Sequence, residues 1–289
     1  MMRALDYRHG GGACRNAIVA QVAWAQRLLV TDYTEEIGHR LHLALADLHN
    51  LAGWTSFDVG LFSPARRHFA RALEQAKHAG DLSLVANVLY RIGRLHLHRG
   101  FHRDALKFFQ LGQIAAQDCG SELTVAMLCA NEAWAYALLE DENQALKSIG
   151  RAQDEFARAT GDTAPVWVRF FGLADLHAMM GMVYAFLPGR QSPHFAAAVE
   201  NFGVSLGIRG DAMARSRTFE LTALAMVHLQ LGDLAGVVGA GVEAVNLAAQ
   251  VRSVRTVDRL EPLLSEARRR PEHADVRDLA ERIATLRAA

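Results

Sequence analysis

Thirteen histidines and three cysteines are the residues best suited to hold a metal or attack a substrate, and their spacing argues against both uses. His96 and His98 lie two apart, about 200° of helical rotation, so one ion cannot take both. His42 and His49 share a helical stripe but sit about 10 Å apart along it, too far to chelate together. Asp47 with His49, and Asp175 with His177, are i,i+2 pairs that face different ways; His49 and His177 read as hydrogen-bonded core histidines. HExxH and CxxC are both absent from the sequence, and Cys14, Cys119 and Cys129 carry no signature of a nucleophile, a disulfide framework or a zinc ribbon. Gly10–Gly12 lacks the GxxxxGK[ST] pattern of a phosphate cradle and reads as a flexible lead into a helix. No metal, no cofactor and no catalytic residue is expected. The chemistry on offer is recognition, since amides can hold a peptide backbone, guanidinium groups fork onto carboxylates, and aromatics stand beside both.

The elements that must position those groups are helices. Apolar residues recur at i, i+3, i+4 and i+7 along the chain, and no stretch alternates apolar with polar residues, so the class is all-α. Prolines are few, and Pro64, Pro165, Pro188 and Pro193 fall near expected helix starts or loops. Lys+Arg and Asp+Glu balance at 31 each, which leaves no bulk positive field; direct nucleic-acid binding is not expected. No apolar run approaches the ~18 residues of a membrane span, and the opening MMRALDYRHGGGACRN has no apolar signal core. A cytoplasmic protein without membrane contact is the expectation.

The chain repeats itself. LHNLAGWTSFDVGLFSPARRHFARALEQA (48–76), LYRIGRLHLHRGFHRDALKFFQLGQIAAQ (89–117) and CANEAWAYALLEDENQALKSIGRAQDEFA (129–157) align on small residues. Gly53, Gly93 and Ala133 mark where two helices would cross, and Ala65, Ala105 and Ala145 follow in phase. These residues, with Phe69, Phe109, Tyr136, Ala72 and Ala152, resemble the tetratricopeptide repeat. Repeats spaced by 40 residues rather than 34 require longer helices. The resemblance implies a right-handed superhelical α-solenoid forming a single domain over 1–289, with about five repeats. N-terminal helices would occupy 1–44, three clear repeats 45–158, two degenerate repeats 159–250 and capping helices 251–289. The break at 159–167 reads as a hinge, and 188–193 as a loop.

The phrases YRHGGGACRNAIVAQVAWAQRLL, DLHNLAGWTSFDVG and ALKFFQLGQIAAQDCGS are similar to the C-terminal sensor regions of actinomycete helix-turn-helix regulators that carry tetratricopeptide repeats. About a dozen residues precede the first expected helix, too few for a helix-turn-helix, so the resemblance implies the sensing half of a regulator and not DNA binding.

In such a solenoid the first helix of each pair lines the concave wall. That places Asp47, Asn50, Trp54, Phe57 and Asp58 there from the first repeat, and Asn87, Tyr90, Arg91, Arg94 and His98 from the second. Asn131, Trp134 and Leu138 follow from the third, and Asp175, Met179, Met182 and Phe186 from the fourth. The function expected is a regulatory binding module that takes a peptide, a small-molecule effector or a partner protein in this groove. The alternative is an enzyme using Asp58 or His98 as acid/base. A homodimer through the apolar segment GVVGAGVEAVNLAA is the third reading.

Overall fold

The computed structural model describes residues 2–160, 164–187 and 192–288, and among these every regular element is helical. The chain starts with α1 (Met2–His9), a 3-10 turn (Gly11–Ala13) and α2 (Arg15–Leu28). Then come α3 (Glu35–Asp58), α4 (Phe62–His78), α5 (Leu82–His98), α6 (His102–Asp118), α7 (Glu122–Leu138) and α8 (Glu142–Arg158). The second half holds α9 (Leu173–Phe186), α10 (Ser192–Ile208), α11 (Ala214–Leu231), α12 (Leu234–Ala248), α13 (Val254–Arg259), α14 (Glu261–Arg268) and α15 (Ala274–Ala288). Consecutive helices from α3 to α12 pack as pairs. The all-α class holds; α1 is a helix the sequence reading did not foresee.

The 40-residue register has a local cause. Helices α4 to α8 are each 17 residues long and begin 20 residues apart. The residues at 60, 80, 100, 120 and 140 all have positive φ, glycine at the first four and Glu140 at the last. Such left-handed residues let the chain reverse tightly, and the next amide returns to a carbonyl of the final turn, as Asp81 N does to Ala76 O (3.1 Å) and Asp141 N to Tyr136 O (3.0 Å). The Asp81 and Asp141 carboxylates then cap the following helix, accepting from Leu84 N and Gln144 N.

Within each pair the crossing is set by a glycine under a ring. A Cβ on Gly53 would lie 2.6 Å from the Phe69 ring, and on Gly181 it would lie 2.8 Å from Phe202; Phe109 covers Gly93 in the same way. The third pair places Ala133 and Ile149 at the matching positions, both buried in one core cluster, so a smaller partner side chain admits one methyl. Small residues at 53, 93 and 133 thus do what their spacing suggested.

The interior also holds histidines. His49 hydrogen-bonds Gln26 Nε2 (3.2 Å) and His68 Nδ1 (3.0 Å), and His177 Nδ1 pairs with Asn201 Oδ1 (2.8 Å). Burial, reinforced by the imidazole of His68, pushes the His49 pKa down to about 4.

After α8 the pattern breaks. Residues 161–163 of the expected hinge and 188–191 of the expected loop lie outside the described residues. The described part of the first segment packs inward: Ala164, Trp167, Val168 and Phe171 are buried, and Trp167 Nε1 donates to Ser83 Oγ (2.9 Å) at the start of α5. A segment anchored this way is a plug rather than a hinge. The apolar stretch 236–249, read as a dimer face, is spent inside the chain. Val237, Ala240, Ala244, Val245 and Ala248 are buried in one cluster with Leu279 and Ile283 of α15, and Gly241 lies against the Leu279 side chain.

The array closes on itself. Arg252 N donates to His9 O (2.9 Å), and Gly12 N donates to Arg252 O (3.0 Å). Arg215 of α11 forks onto Asp6 of α1 (3.1 Å each) and also reaches Asp58 at the end of α3 (3.1 Å). The first and last parts of the chain are therefore locked together by buried ions beside the hollow between the helix pairs.

Candidate functional site

The hollow between the helix pairs contains a cavity of about 130 Å³, and its walls come from nearly the whole chain. Trp54 comes from α3; Tyr90, Arg91 and Arg94 from α5; Asn131 and Trp134 from α7. Asp175, Met179 and Met182 come from α9; Arg215, Phe219 and Glu220 from α11; Arg255 and Arg259 from α13. Tyr7, Phe170 and Arg209 also contribute to the lining. The short α13 presents Arg255 and Arg259 together because they stand four apart, one above the other on one face.

The arginines stack on the aromatics. Arg91 lies over Trp54 (5.2 Å to the ring centre), Arg94 over Trp134 (5.1 Å), and Arg255 over Trp54 (4.9 Å) and Phe57 (4.3 Å). Arg259 lies between Trp134 (4.8 Å) and Phe219 (5.1 Å). Ring faces attract cations but do not neutralise them.

Sorting the charges shows an imbalance. Arg215 is matched by Asp6 and Asp58, and Arg209 by Asp175 (3.1 Å) and Glu220 (2.7 Å). Among the described residues Arg91 hydrogen-bonds the Asn50 carbonyl (3.0 Å) and feels Asp47 and Asp6 at longer range, while Arg94 hydrogen-bonds Asn131 Oδ1 (2.8 Å) and feels Asp175. Arg255, 1% exposed, reaches Asp58 at 3.4 Å, and its Nε has no partner. Arg259 makes no hydrogen bond or ion pair among the described residues.

The titration behaviour follows. Burial pushes the Arg255 pKa down to about 9, with repulsion from Arg94 and Arg215 adding to it and Asp58 opposing. Burial likewise takes Arg91 down to about 10 and, with Arg94 and Arg255 beside it, drives Arg259 well below the usual value. A guanidinium gives up its proton very reluctantly, so the content of these shifts is uncompensated positive charge in a site of low dielectric. Burial raises Asp175 and takes Glu220 up to about 7, further than Arg209 and Ser205 pull it back.

Nine of the seventeen groove residues read from the sequence line this cavity: Trp54, Tyr90, Arg91, Arg94, Asn131, Trp134, Asp175, Met179 and Met182. The other eight lie elsewhere, Leu138 and Phe186 among them. Asp47 pairs with Arg3 of α1. Asn50 and Asn87 are buried; neither Asn50 side-chain polar atom nor Asn87 Nδ2 has a partner. Phe57 is core, edge-on to His98 (5.4 Å). His98 sits 3.6 Å from Asp258, with its pKa lowered by burial. Asp58 is fully buried beneath the cavity, accepting from Gly11 N (2.8 Å) and Ser253 Oγ (2.9 Å) besides its two arginines. Burial alone would raise its pKa; these four partners reverse that and keep it ionised.

Arg209, Arg215, Phe219, Glu220, Arg255 and Arg259 were not foreseen. The i,i+4 pairs Arg215/Phe219 and Arg255/Arg259 were the available signal, within stretches assigned to a loop edge and a cap. No protein-family model matches the chain, and none of the curated proteins matches it.

Proposed function

We propose that this chain is a binding module whose central cavity takes a small anionic effector. The observation that carries the reading is Arg259, a half-buried guanidinium held between Trp134 and Phe219 with no carboxylate partner among the described residues, beside a buried, under-matched Arg255. A buried cation left unpaired costs several kcal/mol, roughly, and an anion entering the cavity would recover that cost. A cavity of about 130 Å³ favours a small molecule over an extended peptide or a partner helix. The alternative of catalysis by Asp58 or His98 loses support, since neither lines the cavity and both Asp58 oxygens are engaged.

The helix pairs are read here as tetratricopeptide-type solenoid units, supported by the 40-residue register and the glycine–ring crossings, and the chain as the effector-sensing part of a regulator. Three unpaired cysteines, each with its thiol pKa raised by burial, suit a reducing cytoplasm. A direct test is thermal melting with acetate, benzoate, citrate and inorganic phosphate, using wild type and Arg259→Gln. At least one anion should raise the wild-type Tm and leave the variant unmoved. Identical responses in both proteins, or none in either, would count against the site.

A further inference from the structure

A second cavity, of about 300 Å³, adjoins the first between α9, α10 and α11. Met182, Phe219 and Arg259 belong to the walls of both. Beyond them the second chamber is apolar, lined chiefly by Phe186, Phe195, Ala223, Met226 and Val227. The two chambers therefore differ in kind: one carries under-matched cations, while the other is mostly apolar, with Thr222 and Gln230 its polar groups beyond Arg259. The arginine with no ionic partner stands at their junction, and the other two shared residues are a flexible thioether and a ring, side chains suited to lie along a hydrocarbon chain.

We propose that the ligand is an anionic amphiphile, with one carboxylate head held by Arg94, Arg255 and Arg259 and an unbranched aliphatic body that passes Phe219 and Met182 into the second chamber. This rests on the anion-binding reading and adds the chemistry of the rest of the molecule. A head without a body would leave the apolar chamber unfilled. A body without a head would shield the Arg259 guanidinium from water without supplying an anion, so it forgoes the pairing that a carboxylate head gains.

The test is calorimetric titration of wild type, Arg259→Gln and Ala223→Phe with hexanoate, octanoate and decanoate below their micelle concentrations. Decanol and acetate are the controls. Each added methylene buried should tighten wild-type binding roughly fourfold. Ala223→Phe fills the second chamber and leaves every arginine in the chain, so it should abolish that chain-length dependence while acetate still binds; Met226→Phe does the same job if the first variant is unfolded by circular dichroism. Arg259→Gln should weaken decanoate at least tenfold, and decanol should bind at least tenfold more weakly than decanoate. Acetate binding with no gain along the series, or a gain that survives both filling variants, overturns the amphiphile and leaves the anion site standing. Decanol binding as well as decanoate overturns the anion site itself, and so does the absence of binding by every carboxylate.

Discussion

Asp58 and Arg215 stand 3.1 Å apart in the interior, one at the end of the first paired helix and the other near the start of the ninth. This contact, extended by Arg255 and by Asp6, holds the ends of the helix array together and gives the cavity its floor. Asp58→Asn would leave Arg255 without an anion and Arg215 with one carboxylate instead of two. The expected loss is about 3–5 kcal/mol, read as a lower urea midpoint, and α1 should become more open to proteolysis. A variant as stable as wild type would mean that the network does not fasten the ends.

Gly53 lies under the Phe69 ring with no room for a methyl group. Gly53→Ala should therefore cost about 1–3 kcal/mol. Adding Phe69→Ile recreates the Ala133 and Ile149 combination of the third pair and should recover part of that loss, so the double variant is less destabilised than the sum of the singles. Additive costs in the thermal melts would show that glycine and ring are not coupled.

Arg259 carries a charge that no described residue pairs with, so removing it should help the empty protein. Arg259→Met is expected to raise the unliganded stability by about 1–3 kcal/mol while abolishing anion binding, the usual opposition between stability and a strained site. A less stable variant would mean that the guanidinium is compensated after all.

Glu220 is protonated more readily folded than unfolded, with its pKa raised to about 7 by burial. Its contribution to stability is complete below its unfolded value of 4.5 and declines as pH rises from there through about 7, because the unfolded chain ionises first. Replacing it by Gln removes this dependence, so the stability advantage of wild type over Glu220→Gln should shrink steadily from pH 4.5 to 7 in denaturant titrations. A difference that is flat or grows with pH would refute the shifted titration. Protonation also frees Arg209 from one of its two carboxylates, making the cavity more positive at the acid end.

The first half of the site was legible because a helical repeat announces its own geometry. Small residues 40 apart fixed the crossings, and positions 90, 91 and 94 then shared the concave stripe of α5 with Trp134 on its neighbour. The stripe was extended too far at both ends. Trp167 docks on Ser83 above Asn87, and Asp258 of α13 meets His98 below, so the segments that cover the groove took those positions out of it. Asp47 went the same way, to Arg3 of α1. Nothing local reveals such covering. The pairing of Asp58 with Arg255 joins residues 197 apart, and a sequence read in repeats puts the first on the groove wall and the second in a cap, with nothing to join them. The cavity's charge depends on that closure, which is why four of its arginines were missed.

The most direct test of the central claim is a crystal soaked in selenate, examined at the selenium absorption edge. An anomalous peak inside the cavity, within contact of Arg255 and Arg259 and between the Trp54 and Trp134 rings, is the predicted result. Selenate bound only at solvent-facing arginines such as Arg66 and Arg67, with the cavity free of it, would contradict the account.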